Sequence, residues 1–146
     1  MTAWLEATAL ATWVRTSPSI WAYPTILTIH TLGLGIVVGA CAIIDLRFLG
    51  FAPGIDLPSL LPLFSFIWWA FLVNAATGTL LFIAEATTKS VQLVFYIKLS
   101  LIGLALWNTV IARRAVRQNR EAPALAITSL LLWSAAITAG RLMAYL

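Results

Sequence analysis

One lysine, Lys98, stands inside "VQLVFYIKLSLIGLALWNTVIA", residues 91–112, an apolar run long enough to cross a bilayer. A full charge near the centre of such a helix costs ~2.5–3.5 kcal/mol on insertion scales, so it persists where something compensates or uses it. Three more ionisable residues, His30, Glu85 and Arg141, lie within or at the rim of other apolar runs, and the amide of Asn74 joins them. Lys98 and Arg141 can donate to an anion or a carbonyl, and His30 can donate, ligate or carry a proton. Glu85 suits an interfacial position or the role of counter-ion to Lys98 or Arg141. A cationic, partly apolar site of this kind fits an anionic or carbonyl-bearing amphiphile: a lipid headgroup, a quinone or a porphyrin carboxylate. Each residue also has a plainer use. Lys98 and Arg141 can snorkel along their aliphatic stems to the interface, and His30 can be a neutral imidazole bonded across two helices.

Other chemistries lack their residues. His30 is the only histidine, so a haem held by two imidazoles of this chain is excluded; His30 can serve as one axial ligand if another chain or residue type supplies the second. As a metal ligand His30 is the sole candidate, because Cys41 and Met143 fall at other depths. Cys41 has no partner for a disulfide within the chain and reads as a small packing residue. There is no nucleophile beside a base, no carboxylate pair, no phosphate loop and no HExxH, so no catalytic motif supports an enzyme.

The elements that must position these residues are membrane helices. Of 146 residues 62% are hydrophobic and 10% charged, far from the balance of an ordinary soluble domain. Four apolar blocks, separated by "DLRFLGFAPGIDLPS", "EATTKS" and "RRAVRQNREAP", predict spans over about 20–46, 59–85, 90–113 and 123–145. No period-2 alternation of the kind a membrane barrel needs is sustained. The expected fold is therefore all-α: one integral membrane domain over 1–146, a four-helix bundle preceded by a short interfacial helix over 3–15 that Trp4 and Trp13 anchor. Pro24 fits a first turn, Pro123 opens the last span, and Pro62 should distort a helix already begun at Pro58.

Arg47, Arg113, Arg114, Arg117 and Arg120 flank one set of helix ends, against Arg15 and Lys89 at the other. That bias predicts a multi-pass protein of the inner (cytoplasmic) membrane with both termini outside. The net charge of +4 is thus a topology signal, and nucleic acid is not an expected partner. Counting about 1.5 Å per residue from the outer ends puts Arg141 roughly 7 Å, Lys98 roughly 10 Å and His30 roughly 15 Å deep, with Glu85 at the rim. Asn74, Gly78, Leu81 and Glu85 share one stripe of their helix, and Ser134, Thr138 and Arg141 one stripe of theirs, both expected to face other helices. Gly35 and Gly39, in "GIVVG", are expected to admit a close neighbour, and Asp45 with Arg47, in "DLR", to order the first loop against the headgroups or the third loop.

The stretches "YPTILTIHTLGLGIVVGACAIIDLRFLG", "FYIKLSLIGLALWN" and "TAGRLMAYL" resemble an uncharacterised family of small four-span bacterial membrane proteins over nearly the whole chain. They are more loosely similar to the copper-resistance D and cytochrome b-like bundles. The family pattern falls on His30, Gly39, Asp45, Arg47, Lys98, Gly140 and Arg141; the resemblance implies a fold and no reaction. The missing additional histidines set this chain apart from the copper and haem relatives. The expected function is a cofactor- or lipophile-binding subunit (quinone, haem or lipid) of an oligomer or redox assembly, in contact with bilayer lipid and with itself or other membrane subunits. A small transporter or channel for an anionic solute, and a structural or assembly protein, are the alternatives.

Overall fold

A computed structural model describes residues 2–19 and 21–145. These are all helical or loop, with no strand among them. Two short helices, α1 (Ala3–Glu6) and α2 (Ala9–Thr16), precede the spans α3 (Tyr23–Phe48), α4 (Leu61–Ala84), α6 (Leu93–Arg117) and α7 (Pro123–Leu142), with a one-turn helix α5 (Ala86–Lys89) after α4. Among the described residues four helices are long and apolar enough to cross a membrane. The chain is an all-α four-helix bundle, and its apolar flanks meet bilayer lipid. The expected start of the first span at residue 20 lies outside the described residues, as does residue 146.

The boundaries follow local chemistry. Pro24 and Pro62 both occupy first turns, where no amide hydrogen bond is lost. The expected distortion at Pro62 takes the form of a change of helix type: residues Leu57–Leu60 form a 3₁₀ turn containing Pro58, and the α-helix begins at Leu61. The helix α3 ends in a Schellman turn. Gly50 adopts φ +88°, which an L side chain would strain, so that the amide of Phe51 donates to Leu46 O at 3.1 Å and that of Gly50 to Arg47 O at 3.1 Å. Asn119, at φ 50°, does the same for α6, with Arg120 donating to Ala115 O at 3.0 Å.

The helix α3 packs along α4 on one side and α7 on the other, α6 packs along α7, and α4 touches α6 only slightly. The buried face of α3 runs Gly33, Val37, Ala40, Cys41, Ile44, Asp45 and Phe48, a helical stripe that meets Phe64 and Ile67 of α4, Ala105 to Val116 of α6, and Trp133 of α7. This core occupies only the half of the bundle next to the arginine-rich ends. In the other half no described residue of 23–32 on α3 or 93–104 on α6 is buried. That looser half is where His30 and Lys98 lie.

The N-terminal segment docks on this looser end. Ala11 and Val14 of α2 are buried on the side facing α4, while Trp4 and Trp13 stay exposed, the amphipathic pattern of an interfacial helix. The Glu6 carboxylate accepts from both the amide and the hydroxyl of Thr87 on α5 and pairs with Arg15 at 3.4 Å. Those donors, the Thr87 hydroxyl first, hold Glu6 below the usual carboxylate range.

Candidate functional site

The looser half brings His30 and Asn74 together. His30 Nδ1 lies 3.0 Å from the Asn74 carbonyl oxygen and 3.1 Å from Thr77 Oγ1, which itself donates to Val73 O at 2.9 Å. A carbonyl only accepts, so Nδ1 carries the proton and donates, which leaves Nε2 with its lone pair and no partner among the described residues. A carbonyl bond at one ring nitrogen fixes the tautomer and plane of an imidazole whose other nitrogen is free to accept or ligate. The ring sits this close to α4 because residue 78 is glycine: a Cβ there would stand 2.9 Å from His30 Cε1. Asn74 is 8% exposed and its side-chain Oδ1 has no hydrogen-bond partner among the described residues. It faces Gly33, where an added Cβ would be 3.4 Å away.

Lys98 reaches the same region from α6. Its stem lies over Gly140 of α7, with Cε and Nζ each 3.3 Å from where a Cβ would be, and it is half-buried. It lies within electrostatic reach of His30 and of Lys89. Lys98 forms no ion pair among the described residues.

Arg141 and Glu85 stand apart from this pair. Arg141 is exposed and its guanidinium lies 5.9 Å from the Tyr145 ring centroid, turned toward the end of the bundle. Ser134 and Thr138, expected with it on an interhelical stripe, are exposed too. The Thr138 hydroxyl donates to Ser134 O at 2.8 Å within its own helix, so it needs no neighbour. Glu85 pairs with Lys89 at 3.5 Å and accepts from Tyr23 Oη at 3.3 Å, rather than serving Lys98 or Arg141; Lys89 also donates to Met143 O at 3.2 Å.

The glycines expected to admit a neighbour behave differently from one another. Gly35 and Gly39 are exposed, and a Cβ on either would meet nothing within 4 Å. Close approach within the chain happens instead at Gly33, Gly78 and Gly140. Beside Gly33, an apolar groove of about 360 Å³ runs between α3 and α4, with Ile29, Ile36, Phe66 and Trp69 among its walls.

"DLR" divides. Arg47 ties the first loop to the third, with Nε donating to Ile55 O at 2.6 Å and Nη1 pairing with Glu121 at 2.9 Å. Asp45 takes no part in this. It is 3% exposed and turned into the bundle, beside the Ser129 hydroxyl of α7 and near Cys41, Asn108 and Thr109. The expectation that Asp45 orders a loop is thereby corrected, because residue 45 continues the buried stripe of Val37, Cys41 and Phe48. A second polar cluster, in the arginine-rich half, is what reading by depth missed. The spacing i, i+4 from Cys41 to Asp45 was the available signal.

Among the described residues no group of three histidine, cysteine or acidic side chains is placed to hold a metal ion. Compared with known proteins, the chain matches no family model, no curated protein and no solved structure.

Proposed function

We propose that the protein is a lipophile-binding subunit of the bacterial inner membrane. Its arginine-rich end faces the cytoplasm, both termini lie outside, and its site, formed around His30, Lys98 and Asn74, opens toward the outer leaflet. The observation that carries this reading is Lys98: a half-buried ammonium without a carboxylate partner among the described residues, in the half of the bundle where α3 and α6 bury nothing. An uncompensated cation in hydrocarbon calls for an anionic or carbonyl oxygen, and the free Nε2 of His30 supplies a second polar contact nearby. A quinone, a haem carboxylate or a lipid headgroup supplies such an oxygen, and the groove between α3 and α4 suits an isoprenoid or acyl tail. Arg141 and Glu85 are rim residues in this reading, positioned to meet a headgroup at the interface. The exposed pair Gly35 and Gly39 offers a helix of another copy, or of another membrane subunit, a close approach, which supports membership of an oligomer or redox assembly.

The test is extraction of the purified protein with organic solvent, followed by mass spectrometry and a visible spectrum. Wild type should carry a quinone, a porphyrin or one lipid species in near-stoichiometric amount, and Lys98→Met and His30→Ala should each carry much less. A wild-type protein with no absorption band and only bulk lipid overturns the reading. Transport of an anion is less well supported. Beyond Lys98 an anion would meet the buried Ile67, Ala105 and Trp133 and then the carboxyl of Asp45, whose charge opposes it.

A further inference from the structure

The second polar cluster has an acceptor pattern that the outer-half site does not explain. Asp45, Asn108, Thr109, Ser129 and Cys41, with Phe64 among the apolar walls, line a cavity of about 10 Å³ between α3, α6 and α7. That is room for one sphere the size of a water. Two of its polar side chains have a proton engaged elsewhere, while the Ser129 hydroxyl is placed to donate to Asp45 and the Cys41 thiol lies 3.9 Å from Thr109 Oγ1. Thr109 Oγ1 donates to Ala105 O at 2.9 Å, and Asn108 Nδ2 donates one N–H to Leu125 O at 3.0 Å, so both keep oxygen lone pairs and Asn108 keeps a second N–H. Asp45 Oδ2 is buried and has no hydrogen-bond partner among the described residues. The nearest guanidinium in sequence, that of Arg47, is turned to Glu121 and Ile55. Among the described residues the other ionisable side chain facing Asp45 is the Cys41 thiol; Ser129 and the indole of Trp133, which lies beside Cys41, carry no charge.

A one-atom space into which four side-chain oxygens can turn, with one carboxylate and no protein cation among the described residues that line it, matches one small positive charge. We propose that the Asp45 cavity is a binding site for a single alkali-metal cation of sodium's size, held by the Asp45 carboxylate with oxygens of Ser129, Thr109 and Asn108. Hard cations take oxygen ligands, and one carboxylate balances one charge, which favours a monovalent over a divalent ion. The cation joins three helices at the arginine-rich end, so its binding stiffens the bundle where the apolar core is already densest. The proposal is independent of the outer-half ligand and of its identity.

The experiment is thermal unfolding of the purified protein in detergent. Sodium chloride is replaced stepwise by N-methyl-D-glucamine chloride at constant ionic strength, and retention of radioactive sodium ion is measured alongside. Wild type should show a melting temperature that rises saturably with sodium and should retain one sodium ion per chain. Asp45→Asn should retain none and lose the sodium dependence. Ser129→Ala should keep the fold and raise the half-saturating sodium concentration about tenfold, the loss expected when one hydrogen-bonding or coordinating partner of a charge is removed. If Asp45→Asn fails to fold, Ser129→Ala and Thr109→Val carry the same comparison. A wild-type melting temperature equal in sodium and in N-methyl-D-glucamine, with no retained sodium, overturns the proposal even if the protein responds to pH, because that result assigns the cavity to a water or a proton alone.

Discussion

Gly78→Ala probes the contact that orients His30. The added methyl would stand 2.9 Å from His30 Cε1 and 3.4 Å from Nδ1, and the ring cannot retreat while Nδ1 stays 3.0 Å from the Asn74 carbonyl. Overpacking of this kind costs about 1–3 kcal/mol, and replacing a mid-helix glycine by alanine returns about 0.5–1 kcal/mol of backbone entropy. The net expectation is a loss of up to about 2.5 kcal/mol in reversible unfolding by sodium dodecyl sulfate in mixed micelles. In a His30→Ala background the obstruction is gone, so the same glycine change should stabilise by about 0.5–1 kcal/mol. The double-mutant cycle then yields a coupling of roughly 1–3 kcal/mol between positions 30 and 78. Gly103→Ala on α6, where an added Cβ meets nothing within 4 Å among the described residues, serves as the control and should be neutral or stabilising. A Gly78→Ala protein as stable as Gly103→Ala, with no coupling to position 30, would refute the claim that glycine at 78 is what lets the imidazole reach α4.

Lys98→Met removes a charge without an ion-pair partner among the described residues, so it should raise the stability of the ligand-free bundle by up to about 2.5–3.5 kcal/mol while abolishing ligand retention; a destabilised Lys98→Met protein would point to an unrecognised counter-charge. Gly140→Ala, where the added Cβ meets only the movable end of Lys98 at 3.3 Å, should change stability by less than about 1 kcal/mol yet weaken ligand retention, read by the same extraction. The lowered Glu6 carboxyl sets a pH dependence for the N-terminal segment. The contribution of its docking is complete above the ordinary carboxylate value and is lost as pH falls through Glu6's own, lower one, so amides of residues 9–16 should begin to exchange faster below about pH 4, and Glu6→Gln should flatten that profile. Arg47→Ala should speed exchange in residues 49–60 more than Glu121→Ala does, because Arg47 also donates to Ile55 O and its side chain is 11% exposed against 54% for Glu121.

The four spans were legible because length and apolar content alone decide whether a helix can cross a bilayer, and both survive without knowledge of the packing. Their ends were less so. Hydropathy stops at Arg113, whereas α6 continues to Arg117, since arginine is a good helix former and Ala115 and Val116 still bury a face. The depth of His30 and Lys98 could be counted from the sequence, but their partners could not. Glu85 is captured by Lys89 one helical turn away, a local contact that outcompetes the longer reach to Lys98. A hydroxyl misled in the same way: Thr138 looks like part of an interhelical stripe until the Ser134 carbonyl of its own helix is counted as its acceptor. Asp45 was hidden by its neighbour, because an aspartate two residues from an arginine at a helix end invites pairing, while the helical phase that carries one side chain outward turns the other in.

Two polar layers result, and the inner edge of the apolar core, which lies between them, bears on how the molecule works. Val37, Ile67 and Ala105 are each no more than 1% exposed, and Trp133 is 3% exposed. A polar group crossing this belt would lose its hydration without gaining a partner, a cost of several kcal/mol for even a neutral amide or hydroxyl. The layers are also opposite in character, an unpaired ammonium on one side and an unpartnered carboxyl oxygen on the other. A path for a single solute would need one sign of charge, or neither, along its length, so two separate occupants explain the arrangement better than one passing through. If the occupants are coupled, the coupling runs through α3, which carries His30 and Asp45 about four turns apart on one rigid helix. Retention of the outer-half lipophile should then depend on sodium in wild type and lose that dependence in Asp45→Asn. Equal retention with and without sodium would mean that the two layers act independently.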